Sequence, residues 1–186
     1  MPRYVLTGTP GAGKTAILRQ LELDGFSVVE ESATDVIALE QALGCAEPWE
    51  RAGFTDAIAT LQRQRERAAP LDRIAFFDRS PVCTLALSRY LGRPPSALLA
   101  AELKRVVTGR VFERAVFFVR CPGFVTPTAA RRISLADALA FEKIHADTYI
   151  ELGFRLIDVP AGLLRGRAAL VRRTATRLAA GEAPPV

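Results

Sequence analysis

Apolar residues recur along this chain in two alternating rhythms. Strand-like apolar segments occur at Tyr4-Val5-Leu6, Phe26 to Val29, Ile74 to Phe77, Ala115 to Val119 and Phe154 to Val159, those at 74–77 and 115–119 without any polar residue. The two continuous runs predict strands covered on both faces, and the other segments are read as strands. Between them the apolar spacing widens to threes and fours. Ile17, Leu18 and Leu21 share one side of a helix predicted over 14–22, and positions 36, 37, 39 and 43 do the same over 34–43, where Gly44 suits a stop. Phe54, Ile58 and Leu61 mark a third helix, whose Arg63, Arg65 and Arg67 are expected on a solvated face, with substrate contact as the alternative.

Ser80-Pro81 reads as N-cap and first residue of a helix through Tyr90. Further helices are predicted over 97–107, from Ser134 to near Gly153, and over 163–178. Ser134 with Asp137 three residues on has a capping-box pattern. Residues 121–133 are polar and Pro-containing, so a loop is expected. Strands that alternate with helices imply right-handed crossovers and a mainly parallel sheet, an α/β fold. No repeat or linker divides the chain. One domain over 1–180 is expected, with a loose tail over 181–186.

Composition narrows the function classes. The chain has 186 residues, and 49% are hydrophobic, enough for a sizeable core. No apolar run approaches the ~20 residues of a membrane span. Cys45, Cys83 and Cys121 lie far apart without a paired spacing. Reduced thiols are expected, and zinc ligation is not. The early phosphate-loop motif leaves no room for a leader, so a cytoplasmic location is expected. The net charge of +5 comes from 22 arginines and three lysines, and asparagine is absent. The arginines are scattered, with no aromatic platform among them, which argues against nucleic-acid binding.

One segment carries clear chemistry. Gly8-Thr9-Pro10-Gly11-Ala12-Gly13-Lys14-Thr15 satisfies G-x-x-x-x-G-K-[ST], with a predicted strand before it and a helix after it. Glycines let the backbone turn its N–H groups inward toward phosphate oxygens, and the helix start adds its positive end. Lys14 is expected to reach the β and γ phosphates, and Thr15 to ligate Mg²⁺. ATP is the expected nucleotide, with GTP as the alternative.

Other candidates sit where strands end, the edge at which open α/β sheets bind ligands. Asp78 closes the third strand and is a second expected Mg²⁺ partner. Arg79 is placed to meet a transferred phosphoryl group. Glu30 and Glu31 follow the second strand, and Glu31 is the preferred general base. Arg131 and Arg132, before the long helix, suit a lid that closes over a triphosphate. His145 has no second ligand nearby in sequence, so a structural or surface role is expected. Trp49 is read either as core or as a ring against an acceptor.

Taken in order, the phosphate loop, Val28-Val29-Glu30-Glu31, Phe76-Phe77-Asp78-Arg79-Ser80-Pro81, Ala130-Arg131-Arg132-Ile133-Ser134, Glu151-Leu152-Gly153-Phe154 and Val159-Pro160 resemble one family. It is the AAA-domain family that groups with the nicotinamide riboside kinase domain and the TRPL translocation defect protein. The resemblance runs from Tyr4 to about Val171. It implies a P-loop kinase-like three-layer α/β/α sandwich with strand order 2-3-1-4-5 and a small lid. It implies an Asp-Arg element at Asp78 and Arg79, lid arginines at Arg131 and Arg132, and a base-contacting loop at Val159 and Pro160. The family pattern carries an arginine three residues after the second-strand glutamate, where this chain has Thr34.

The leading expectation is a kinase that transfers the γ-phosphoryl group of Mg-ATP to a hydroxyl of a nucleoside-like or other small acceptor. A nucleotide-binding regulatory switch with little turnover is the alternative. The guanine-reading N-K-x-D motif of Ras-type switches needs an asparagine, which the chain lacks. An oligomeric AAA+ motor needs a longer chain and a sensor asparagine. A monomer or homodimer is expected.

Overall fold

The computed structural model describes residues 1–121 and 134–182. Arg131 and Arg132, the loop expected over 121–133 beyond its first residue, and most of the expected tail therefore lie outside the described residues.

Five strands form one sheet: β1 (Arg3–Thr7), β2 (Ser27–Val29), β3 (Ala75–Asp78), β4 (Ala115–Val119) and β5 (Arg155–Val159). Their order is β2-β3-β1-β4-β5, and all four pairings are parallel. The order 2-3-1-4-5 implied by the family resemblance is the observed one. Among the described residues seven α-helices connect or flank the strands: α1 (Lys14–Leu23), α2 (Ser32–Ala42), α3 (Phe54–Ala68), α4 (Pro81–Tyr90), α5 (Ala97–Thr108), α6 (Leu135–Glu151) and α7 (Leu164–Ala179). No helix among the described residues is long and apolar enough to cross a membrane.

The alternation of side chains along each strand builds two core layers. Tyr4, Leu6, Phe76, Phe117 and Val119 face α1 and α7, against Ile17, Leu21, Val171 and Ala175. Val5, Phe77 and Val116 face the other way, against Leu85, Leu99, Val106 and Tyr149 of α4, α5 and α6. Phe76 and Phe117 are fully buried, and each such ring contributes about 1.5–3 kcal/mol through burial. A smaller cluster, Val36, Phe54 and Ile58 with Trp49 and Leu87 against it, joins α2, α3 and α4. It stands apart from the sheet and forms one wall of the cavity described below.

Local signals set most boundaries. The hydroxyl of Ser80 accepts from the Val82 amide at 3.3 Å, and Pro81 opens α4. The Ser134 hydroxyl accepts from the Asp137 amide at 3.1 Å and donates to its carboxylate at 2.6 Å, capping α6. Two expectations shift. Helix α2 begins at Ser32, two residues before the predicted start. Arg63 and Arg67 are exposed as expected, Arg63 also pairing with the buried Glu102, whereas Arg65 is half-buried: it pairs with Asp35 and donates to the carbonyl of Glu31 at 2.7 Å. Arg65 thereby fixes the end of β2 through an element 34 residues away, a pairing that helical periodicity does not reveal.

Candidate active site

The carboxyl ends of the strands bring the sequence candidates to one edge. The phosphate loop follows β1, Glu30 and Glu31 follow β2, Asp78 ends β3, and Pro160 follows β5. Strand β1 lies between β3 and β4, the place where the strand order reverses and where such sheets bind ligands.

Three loop glycines adopt left-handed backbone: Gly8 (φ 125°), Gly11 (φ 86°) and Gly13 (φ 87°). At Gly8 no other residue fits. A Cβ there would stand 2.2 Å from the carbonyl oxygen of Val119. The loop therefore turns tightly against β4 before α1 begins. Lys14 is buried and folds its ammonium back onto the loop, 2.8 Å from the carbonyl of Thr9 and 3.3 Å from that of Gly8. Burial, then the nearby Arg79, lowers its pKa to about 8.

Asp78 is also buried. Its Oδ2 lies 3.4 Å from the Thr15 hydroxyl, and its Oδ1 has no hydrogen-bond partner among the described residues. Burial, with the Glu31 carboxylate adding to it, pushes its pKa up despite Lys14 and Arg79. An orphaned carboxylate oxygen beside a hydroxyl, both hard oxygen donors, fits Mg²⁺. Among the described residues no group of three or more His, Cys, Asp or Glu could hold a metal. Two protein oxygens, with the remaining ligands from phosphates and water, is the usual manner of Mg²⁺ binding.

Arg79 adopts φ 75°, a conformation that costs a non-glycine residue about 1 kcal/mol or more. Its contacts hold it there. Its Nε donates to Glu31 Oε1 at 2.5 Å, and its Nη1 donates to His145 Nε2 at 3.1 Å. A guanidinium only donates, so Nε2 accepts and the ring proton sits on Nδ1, which donates to the Phe141 carbonyl at 3.0 Å. Burial, then Arg79, holds the His145 pKa well below its ordinary value. The imidazole is neutral and fixed in one tautomer. Glu31 also accepts from the Thr34 hydroxyl at 2.9 Å. Burial acts to raise the Glu31 pKa, but Arg79, Lys14 and Thr34 outweigh it and bring it to about 2.

A cavity of about 690 Å³ opens from this edge, within the size range of small-molecule sites. At one end it touches Gly11, Gly13, Lys14 and Thr15, and Glu31 and Arg79 also line it. Away from the loop its walls are Ile37, Trp49, Phe54, Ile58, Leu87 and Phe141. Gln62 and Thr84 supply polar atoms, the Thr84 hydroxyl donating to the Gln62 carboxamide oxygen at 2.9 Å. Cys83, also in the lining, lies 3.1 Å from the Tyr149 hydroxyl, which is 2.7 Å from that of Ser80. This buried relay ties α4 to α6 below the cavity.

Of the sequence candidates, Gly8, Gly11, Gly13, Lys14, Thr15, Glu31, Asp78 and Arg79 meet at this edge. Thr9, Pro10 and Ala12 complete the loop; Thr9 and Ala12 are fully buried. Val159 lies in the core against α7, and Pro160 is exposed at the edge. Arg131 and Arg132 fall outside the described residues. Sequence reasoning did not single out Gln62 or Tyr149, and of the structural or surface role expected for His145 the structure shows the buried, structural one. Phe141, His145 and Tyr149 recur every four residues, so they share one face of α6. That spacing marks a shared face, and it does not tell which residue of another element the face meets.

The parallel order 2-3-1-4-5, with a glycine loop after β1 and an Asp-Arg pair at the end of β3, defines the P-loop kinase fold. Within that class, the family model of the AAA domain matches residues 3–167, and the chain belongs to this family. Solved structures agree on the fold. A deoxyadenosine kinase from M. mycoides, with the products dCMP and a flexible dCDP bound, superimposes with a TM-score of 0.63 at 16% identity, covering 94% of this chain and 98% of that one. The same enzyme with bound dATP gives a TM-score of 0.51 at 14% identity, covering 94% and 99%. Shikimate kinase from Acinetobacter baumannii in complex with shikimate gives 0.55 at 16% identity, covering 97% and 94%. No curated protein matches the chain by sequence.

Proposed function

We propose that the protein is a small-molecule kinase that moves the γ-phosphoryl group of ATP to a hydroxyl of a nucleoside-like acceptor. One observation carries the reading. A single cavity joins the phosphate-loop residues Lys14 and Thr15 to an apolar, aromatic chamber, with Glu31 and Arg79 in its lining. A pure nucleotide switch needs no such chamber.

In this reading the loop amides and Lys14 hold the phosphates. Thr15 and Asp78 hold Mg²⁺, which when bound neutralises charge on the β and γ phosphates. Arg79 faces the transferred group. Trp49, Phe54 and Phe141 enclose the acceptor ring, and Gln62 reads its polar edge. Pro160 contacts the base, and Arg131 and Arg132, outside the described residues, are the expected lid arginines. Glu31, with its pKa near 2, is too weak a base to strip an alcohol early. It accepts the acceptor's hydroxyl proton as a hydrogen bond and aims the oxygen. Phosphoryl transfer through a loose transition state asks mainly for such positioning. The protein acts in the cytoplasm as a monomer or homodimer.

The clamped Glu31–Arg79 pair also favours a second reading, a nucleotide-dependent switch with ATP or GTP and little turnover. A turnover screen separates the two. Purified protein with Mg²⁺ is titrated with ATP and GTP and assayed for diphosphate release, with and without nucleosides and other alcohols. Acceptor-stimulated ADP release is expected. Tight triphosphate binding that no acceptor converts to turnover would overturn the kinase reading in favour of the switch.

A further inference from the structure

Among the described residues, the buried side-chain polar atoms without a hydrogen-bond partner are Thr9 Oγ1, Asp78 Oδ1 and Arg167 Nε. Native proteins leave few such atoms, and each calls for an explanation. Two of the three belong to the phosphate-loop site already described. The third, Arg167, lies in the first turns of α7, more than 150 residues further along the chain.

Its surroundings are unusual for an arginine. Nη1 stands 3.0 Å from the point where a side chain on Gly13 would begin. Nη2 makes one long hydrogen bond, 3.4 Å, to the carbonyl of Arg120 at the end of β4. No carboxylate pairs with it among the described residues. Burial alone acts on its ionisation, and lowers its pKa. The first turn of α7 holds no acidic residue, and the positive end of a helix disfavours a cation. A guanidinium kept beside Gly13 with no counter-charge among the described residues is matched by an anion on the phosphate loop.

Resting on the proposed nucleotide site, we infer that Arg167 is a phosphate-contacting residue of that site, directed at the α and β phosphates of the bound nucleotide. Its place follows from the loop. The Lys14 ammonium lies at the Gly8 and Thr9 end, while Arg167 lies across Gly13, where the loop amides and the start of α1 cradle the α and β phosphates. Two cations therefore flank the loop from opposite ends, one from α1 and one from α7. The guanidinium fork suits two phosphate oxygens at once.

The test compares ADP and ATP affinities of wild type, Arg167→Gln and Arg167→Lys, by titration with Mg²⁺ at low and moderate salt. Arg167→Gln keeps most of the stem that packs on α7 and removes the charge. It is expected to weaken ADP and ATP by the same factor, roughly tenfold or more, and to flatten the salt dependence. Arg167→Lys is expected to recover part of that loss. Thermal melting without nucleotide is expected to be within a few degrees for all three. Wild-type affinity in Arg167→Gln, or a loss that Arg167→Lys does not recover and that tracks a lower melting temperature, would overturn the inference and leave the nucleotide site standing. A loss confined to ATP would place the residue at the γ phosphate and would overturn it as well. Failure of the wild type to bind either nucleotide would overturn the site reading and this inference together.

Discussion

Arg79 Nε and Glu31 Oε1 stand 2.5 Å apart, joining the ends of β3 and β2 across 48 residues of sequence. The pair is largely withdrawn from water, Arg79 more than Glu31. Breaking a buried pair costs far more than breaking a surface pair, because one charge is left behind. It also fixes Glu31, a carboxylate of the cavity lining, beside Arg79 before any acceptor arrives.

Glu31 therefore carries a pH signature. Its pKa falls from an ordinary 4.5 to about 2, so the folded state binds fewer protons than the unfolded chain between those values. Its contribution is complete above about pH 4.5 and is lost as the pH falls toward 2. Glu31→Gln is expected to cost about 1–3 kcal/mol at pH 7, Glu31 being partly exposed. Arg79, Lys14, Thr34 and Asp78 face the carboxyl, and all remain in the variant. Melting curves at pH 7 and pH 3 check this: the gap between wild type and Glu31→Gln should narrow at the lower pH. Turnover of the wild type should show no inflection from Glu31 between pH 5 and 8.

Lys14 and Asp78 should separate binding from chemistry. Lys14→Ala is expected to remove triphosphate binding, and unchanged nucleotide affinity in that variant would refute the site. Asp78→Ala is expected to keep ADP affinity within a few-fold while lowering turnover by roughly a hundredfold or more. Isothermal titration and an ADP-release assay on the two proteins make the comparison.

At Gly8 the constraint is steric. Gly8→Ala places a carbon 2.2 Å from the Val119 carbonyl oxygen, and both partners are backbone. Loss of about 3 kcal/mol or more is expected, with loss of nucleotide binding. Gly25 has a similarly positive φ, 90°, but a Cβ there meets nothing within 4 Å. Gly25→Ala should cost only about 1 kcal/mol. Denaturant unfolding of both variants tests the difference between strain alone and strain with a clash.

Trp49 tests the acceptor chamber. Trp49→Ala removes a ring from its wall without touching the phosphate loop. Once an acceptor is identified, its KM is expected to rise roughly tenfold with the KM for ATP unchanged. A matched rise in both would show that the ring supports the fold of α2 and α3 rather than the acceptor.

The sequence by itself determined the strands, the phosphate loop and the edge on which the site stands. These follow from local rules. Continuous apolar runs such as Ala115 to Val119 must be covered on both faces, and Gly8, Gly11 and Gly13 permit backbone that other residues resist. Asp78 was legible for the same reason, because a carboxylate that ends a buried strand has few places to go. What only the tertiary structure decided was pairing between distant elements. Nothing in its neighbourhood marks His145 as the acceptor for Arg79. Nothing in the sequence shows that Arg65 holds the end of β2, or that Arg167 crosses Gly13 with no counter-charge among the described residues. Periodicity reports which face of a helix is buried. It does not report which residue of another element the face meets, and the chemistry of this site resides in those meetings.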